Sequence, residues 1–180
     1  MGFLRFDVRT QAEGNMQKPM NKTKVYLDTS VLSYLKQDDS PERTASTLKL
    51  WEDFKNRSDL EIYLSDVTLT EVSECYEPKR TYMQEKLKEI DFNLLEKDEE
   101  AEKLANQIIE LGILTHKSHD DCLHIAIAVL EGCNYIVSWN FKHLVNIKTI
   151  NGVRAITNLK GFRPIDIITP EMLIKGDEDE

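Results

Sequence analysis

The sequence predicts an α/β fold, a three-layer α/β/α sandwich around a mostly parallel central sheet. Three observations carry this expectation. Short apolar runs, Val25-Tyr26-Leu27, Ile62-Tyr63-Leu64 and Tyr135-Ile136-Val137, have the length of strands covered on both faces. Longer helical segments separate them, as connections between parallel strands require. Finally, carboxylates stand where such a sheet gathers ligands, at the carboxyl ends of its strands: Asp28 directly after the first run, Glu71 on the helix after the second, and Asp121 at the start of an apolar helix.

Each element has its own local reason. Residues 1–22 lack sustained periodicity and read as a loose leader, residues 23–170 as one domain, and residues 171–180 as an acidic tail. Lys24 to Leu27 is a strand, and a helix over Thr29–Lys36 starts immediately after Asp28. Ser40 as N-cap and Pro41 at the first helical position open a helix to about Asn56, with Leu48, Trp51, Phe54 and Leu50 as candidates for its buried side. Glu61–Ser65 is the second strand. Ser65 or Asp66 caps the next helix, which carries Val67, Leu69 and Val72 and ends near Pro78.

Lys79–Ile90 reads as helical and Phe92–Leu95 as the third strand. A helix over Asp98–Leu111 stops at Gly112, and another over Ser118–Glu131 stops at Gly132. Tyr135–Ser138 and Ile165–Ile168 are the remaining strands, before Thr169-Pro170-Glu171 reopens a short helix.

A chain of 180 residues with 41% apolar composition has the size of one domain with a proper core. No apolar stretch approaches the roughly 20 residues that span a bilayer, and the first residues do not read as a signal peptide. A cytoplasmic protein without a membrane partner is the expectation. Cys75, Cys122 and Cys133 are odd in number and suit a reducing compartment, and neither they nor His116, His119, His124 and His143 show zinc spacing. The net charge of −9 argues against a broad basic nucleic-acid surface, though local patches can still serve a nucleic-acid enzyme.

Each acid has a bland reading beside the chemical one. Asp28 is also a good N-cap for the following helix, with Thr29 and Ser30 hydroxyls within reach of its carboxylate. Glu71 sits in an acidic helix with Glu74 as rival, and its apolar flank Val67-Thr68-Leu69-Thr70 points it inward. Asp121 follows Ser118 at capping-box spacing, yet the helix beyond it is apolar on nearly all faces, so a carboxylate there is partly desolvated. Asp120 points about 100° away. His124 reads as a packed core residue whose ring can orient a carboxylate, and Trp139 as a lid or as core. Acids that converge this way repel one another unless a cation lies between them.

Four segments in this order, Tyr26-Leu27-Asp28-Thr29-Ser30, Thr68-Leu69-Thr70-Glu71-Val72, Asp121-Cys122-Leu123-His124-Ile125-Ala126-Ile127-Ala128 and Ile136-Val137-Ser138-Trp139-Asn140-Phe141-Lys142-His143-Leu144, resemble the PIN-domain nucleases, and among them the VapC-type toxins of bacterial type II toxin–antitoxin systems. The resemblance covers roughly Lys24 to Ile168. It implies a Mg²⁺- or Mn²⁺-dependent endoribonuclease in which Asp28, Glu71 and Asp121 hold the metal and metal-activated water cleaves RNA, leaving 5′-phosphate and 3′-hydroxyl ends. It further implies a homodimer and a cognate antitoxin. The family's fourth position, commonly Asp, is Asn140 here, which brings no charge and weakens a second metal more than the first. Ser30, Lys142 and His143 are candidate substrate contacts, with Lys36 and Arg43 nearby in the sequence pattern. The alternative is a catalytically weakened PIN-fold module that binds RNA or protein. A phosphatase of the haloacid-dehalogenase type is disfavoured, because its second acid would fall at Ser30.

Overall fold

The computed structural model describes residues 22–174. Apart from Lys22, the expected leader lies outside the described residues, as does the run Asp177-Glu178-Asp179-Glu180. Five strands, β1 (Thr23–Leu27), β2 (Leu60–Ser65), β3 (Asn93–Leu95), β4 (Tyr135–Val137) and β5 (Asp166–Ile168), form one sheet in the order β3-β2-β1-β4-β5. Every neighbouring pair is parallel. The helices are α1 (Thr29–Ser33), α2 (Pro41–Asn56), α3 (Asp66–Glu74), α4 (Lys79–Leu87), α5 (Glu99–Glu110), α6 (His119–Leu130), α7 (Ile147–Lys160) and α8 (Pro170–Leu173), with a 3₁₀ turn over His116–Ser118.

β1 is the central strand, and its pleat explains the apolar run that announced it. Val25 and Leu27 enter one core, with Ile62, Leu64 and Val137 beneath Leu50, Trp51 and Phe54 of α2 and Met83 of α4. Tyr26 and Ile136 enter the other, against Leu104 and Ile108 of α5, Leu123 and Ile127 of α6, and Val153 and Ile156 of α7. Register aligns Val25 with Ile62 and Tyr135, and Tyr26 with Tyr63 and Ile136. Both faces of the strand are therefore dry, and alternation of polar with apolar residues is not available to it.

This strand order has a consequence for ligands. From β1 the chain builds outward through β2 to β3, then returns to the other side of β1 for β4 and β5. α1 and α2 lie on one face and α7 on the other. The segments leaving β1 and β4 thus diverge to opposite faces, and a crevice opens at the carboxyl ends of these two strands.

Several local expectations change. α7, 14 residues long, falls in a segment to which the sequence reading assigned no element. Asn146 caps it by accepting from the Thr149 amide at 3.0 Å, and Gly161 closes it at a φ of 72°, a left-handed conformation that favours glycine. On α2, Leu48 is exposed and Thr47 is buried in its place, donating to the Arg43 carbonyl and accepting from the Trp139 indole N–H at 2.8 Å. α3 stops at Glu74 rather than near Pro78, because Cys75 is already extended. Ser40 makes no side-chain capping bond, so Pro41 carries that helix start.

Candidate active site

The crevice between β1 and β4 is where the structure brings Asp28, Glu71, Asp121 and Asn140 together. Asp28 leaves the end of β1 and is buried. Its Oδ1 accepts from the Ser30 amide at 2.5 Å and from the Ser30 hydroxyl, and its Oδ2 accepts from the Ser138 hydroxyl at 2.7 Å. It is therefore both the N-cap of α1 and a carboxylate aimed at the β4 exit, so the bland and chemical readings describe the same atom. Burial pushes its carboxyl above the usual range, partly offset by His124 and by the Ser138 and Ser30 donors.

Glu71 reaches the same edge from α3. Its Oε2 accepts from the Thr29 hydroxyl and from His124 Nε2 at 3.0 Å. Burial alone raises its pKa, but His124 and Thr29 outweigh that and hold it below the usual value. Glu74, the rival, is exposed. Asp121 enters from the first turn of α6 and is half-buried, while Asp120 is exposed. Burial raises the Asp121 carboxyl, His143 and His124 lower it, and the charges of Asp28 and Glu71 raise it again. The three carboxylates therefore act on one another as a cluster. The capping box does not form: Ser118 makes no capping bond and instead meets His143 Nδ1 at 3.1 Å.

Asn140 fills the fourth position. Its Nδ2 donates to Asp121 Oδ1 at 2.7 Å and its Oδ1 accepts from the His143 amide at 3.0 Å, so the amide is fixed in one orientation. Ser30, whose hydroxyl also accepts from the Trp139 amide at 2.8 Å, is turned inward as a brace for Asp28. Lys142 is exposed beyond Asn140, and His143 is half-buried against Ser118.

A buried polar chain supports this edge from below. His124 Nδ1 lies 2.7 Å from the Tyr26 hydroxyl, which lies 2.6 Å from Ser65 Oγ. A doubly protonated ring satisfies every member: Nδ1–H donates to Tyr26, Tyr26 donates to Ser65, and Nε2–H donates to Glu71. Burial opposes that charge, yet Tyr26, Glu71 and Asp28 together hold His124 well above its ordinary pKa. The surrounding carboxylates thus favour the charged ring, which offsets part of their repulsion when protonated. Sequence reasoning found His124 and its orienting role but not Tyr26 or Ser138. Tyr26 reads as an apolar strand residue, and only its register beside β4, with α6 above, reveals where its hydroxyl goes.

Among the described residues, no three His, Cys, Asp or Glu side chains form a ready-made cation cage. The donor set is nonetheless one of hard oxygens, and the hydrogen bonds described fall on one oxygen of Glu71, Oε2, and one of Asp121, Oδ1. Magnesium is commonly held by one or two carboxylates, with water and substrate phosphate completing its octahedron, so the cluster suits such an ion without a protein cage. No described helix is long and apolar enough to cross a membrane.

The fold has counterparts among solved structures. The chain is similar in fold to VapBC2 of Rickettsia felis, solved bound to a DNA fragment from its promoter, at 16% identity and a TM-score of 0.50, over 82% of this chain and 98% of that one. It is also similar to VapBC-5 of Mycobacterium tuberculosis, at 18% identity and a TM-score of 0.47, over 82% and 98% of the two chains. No curated protein matches the sequence. The profile of the PIN domain matches residues 25–142, well over half the chain, from β1 through the turn after β4. That span takes in Asp28, Glu71, Asp121 and Asn140, and the chain belongs to the PIN domain family.

Proposed function

We propose that this protein is a Mg²⁺- or Mn²⁺-dependent endoribonuclease of the VapC type. The observation that carries the reading is the meeting of Asp28, Glu71 and Asp121 at the β1–β4 crevice, each from a different element and close enough that Asp28 and Glu71 raise the Asp121 carboxyl. Asp28, Glu71 and Asp121 would hold the cation, Glu71 and Asp121 through Oε1 and Oδ2, the oxygens that carry none of the hydrogen bonds described. The ion, when bound, supplies Lewis acidity toward a phosphodiester and toward water.

The chain's own residues do the rest. Ser30, Ser138 and Thr29 hold Asp28 and Glu71 in single rotamers, so the cluster is preorganised. His124 keeps Glu71 ionised and limits repulsion while the site is unliganded. Asn140 orients Asp121 through a bond from a neutral amide. Lys142 and His143, at the rim beyond Asn140, are the substrate contacts we assign to phosphate oxygens. The fold neighbour from Rickettsia felis is a VapBC assembly, which supports an antitoxin partner for this chain; a homodimer is part of the same proposal.

The test is cleavage of single-stranded RNA with Mn²⁺, with end analysis of the products. Wild type should yield 5′-phosphate ends, and Asp28→Asn, Glu71→Gln and Asp121→Asn should each lose activity while remaining folded. Asp28→Asn is isosteric and keeps an N-cap-competent side chain. Activity that persists in chelator, or full activity in any of these variants, overturns the reading. The second reading, a weakened binding module, is favoured by one observation: Asn140 occupies an Asp121 oxygen instead of adding a charge. It predicts RNA binding in chelator with no cleavage on adding Mn²⁺.

A further inference from the structure

Four side chains, from the end of α1, from α2 and from the segment after β4, form a cluster. The Arg43 guanidinium lies over the rings of Tyr34, Trp139 and Phe141, at 5.7, 5.6 and 4.8 Å from their centroids. The rings themselves form a ladder, with Tyr34–Trp139 centroids 5.8 Å apart and Trp139–Phe141 centroids 6.2 Å apart. Arg43 also donates to the Tyr34 hydroxyl at 3.1 Å. Trp139 is anchored in the core by its bond to Thr47. Phe141, at the other end of the ladder, is 43% exposed.

Two features are unusual for mere packing. Among the described residues Arg43 pairs with no carboxylate, although acidic residues outnumber basic ones 32 to 23 in this chain. Phe141 also follows directly in the chain on Asn140, whose amide is bonded to Asp121. Lys142 is exposed beside it. A cation over an exposed ring, next to a second cation and one residue from Asn140 of the acidic site, offers the two things an unpaired nucleotide needs: a surface for its base and positive charge for its backbone.

We propose that Phe141 and Arg43 form a stacking subsite for an unpaired nucleobase of single-stranded RNA, flanking the phosphate presented to Asp28, Glu71 and Asp121. The subsite deepens the ribonuclease reading and rests on it for the location of that phosphate. Stacking uses the face of a base that pairing and helical stacking otherwise occupy, so the subsite selects single strands over duplex and tolerates different bases. Phe141 serves as the platform. Arg43 backs one face of the platform and leaves the other for the base, and the buried Trp139 fixes both to the fold.

The experiment is fluorescence anisotropy with the full chain in chelator, using a labelled single-stranded RNA dodecamer and the same strand annealed to its complement. Phe141→Ala should weaken single-strand binding about tenfold, within the range of about 5- to 150-fold that one stacked base commands. Phe141→Trp should restore it, and duplex affinity should not change. Phe141→Ala affinity within twofold of wild type, equal weakening toward duplex and single strand, or no wild-type binding to the single strand would each overturn the subsite. Adding Mn²⁺ to the same samples separates the two proposals. Binding that depends on Phe141 without any cleavage keeps the subsite and removes the nuclease reading. Cleavage by a Phe141→Ala protein of unchanged affinity does the reverse.

Discussion

Replacing Asn140 by Asp converts the neutral member of the cluster into a fourth acid and makes the cation's contribution measurable. In the wild type, Asn140 Nδ2 donates to Asp121 Oδ1 at 2.7 Å. Asn140→Asp removes a hydrogen bond to an ionised acceptor, worth about 1.5–3 kcal/mol. It also sets two charges about 3 Å apart, which at an effective dielectric of about 40 to 80 repel by about 1.5–3 kcal/mol. The sum is bounded: a carboxylate of ordinary pKa near 4 takes a proton at pH 7 for about 4 kcal/mol, so one of the pair protonates before the cost goes higher. A loss of about 3–4 kcal/mol follows, which lowers the melting temperature by about 6–16 °C for a domain of this size.

The sign with pH is opposite to that of an ion pair. A carboxyl whose folded pKa is raised binds its proton more readily in the folded state, so the Asn140→Asp defect should shrink as pH falls toward 5. Mn²⁺ should shrink it as well, because the added carboxylate tightens the variant's hold on the ion, and each tenfold lower Kd adds about 1.4 kcal/mol to its stabilisation at saturating metal. The assay is scanning calorimetry of both proteins in chelator and in Mn²⁺, at pH 7 and 5. A variant within 2 °C of wild type in chelator, or an equal Mn²⁺ shift for both proteins, would refute the reasoning that Asn140 acts as a charge-sparing brace for Asp121.

Two further outcomes follow from the same structure. The His124 pKa is held well above its ordinary value of 6.5, so the stability its charge contributes is complete below pH 6.5 and is lost as pH rises through the folded value; His124→Gln should abolish that alkaline loss in a melting series from about pH 6 to about pH 10, and parallel profiles would contradict it. On α7, a Cβ added to Gly152 would stand 2.7 Å from Ile113 Cγ1 and Cγ2. Overpacking of about 1–3 kcal/mol should outweigh the roughly 1 kcal/mol that alanine gains in a helix, so Gly152→Ala should melt earlier in urea, whereas net stabilisation would show that Ile113 moves aside freely.

The parts of the fold legible in the sequence are those whose burial is two-sided or whose ends carry strong caps. β1, β2 and β4 announce themselves as apolar runs because both faces are dry, and α5 and α6 end at Gly112 and Gly132, each with positive φ. α7 hides because its buried face is Thr149, Val153, Ile156 and Thr157, two of them polar, with Gly152 in its interior. The hydroxyls of both threonines donate to backbone carbonyls, which makes them acceptable in the core but invisible to hydrophobic periodicity. Asn146 and Gly161 were the readable signs. Leu48 misled because Thr47 takes the inward position to meet Trp139, a tertiary bond that a helix wheel cannot show.

For the site, strand ends were enough to bring the acids and Asn140 to one edge, since parallel topology decides that geometry. The Ser65–Tyr26–His124–Glu71 chain links residues distant in sequence through side-chain atoms alone, and no spacing rule anticipates it. The same holds for the Ser138 bond to Asp28 across the β1–β4 seam.

The central claim is that this acidic edge holds a divalent cation. Calorimetric titration of the wild type with Mn²⁺ at pH 7, beside Asp28→Asn and Asp121→Asn, tests it most directly. The account predicts saturable binding by the wild type and its loss in both variants, with their folds retained. A wild type that binds no Mn²⁺, or variants that bind it as the wild type does, would contradict it.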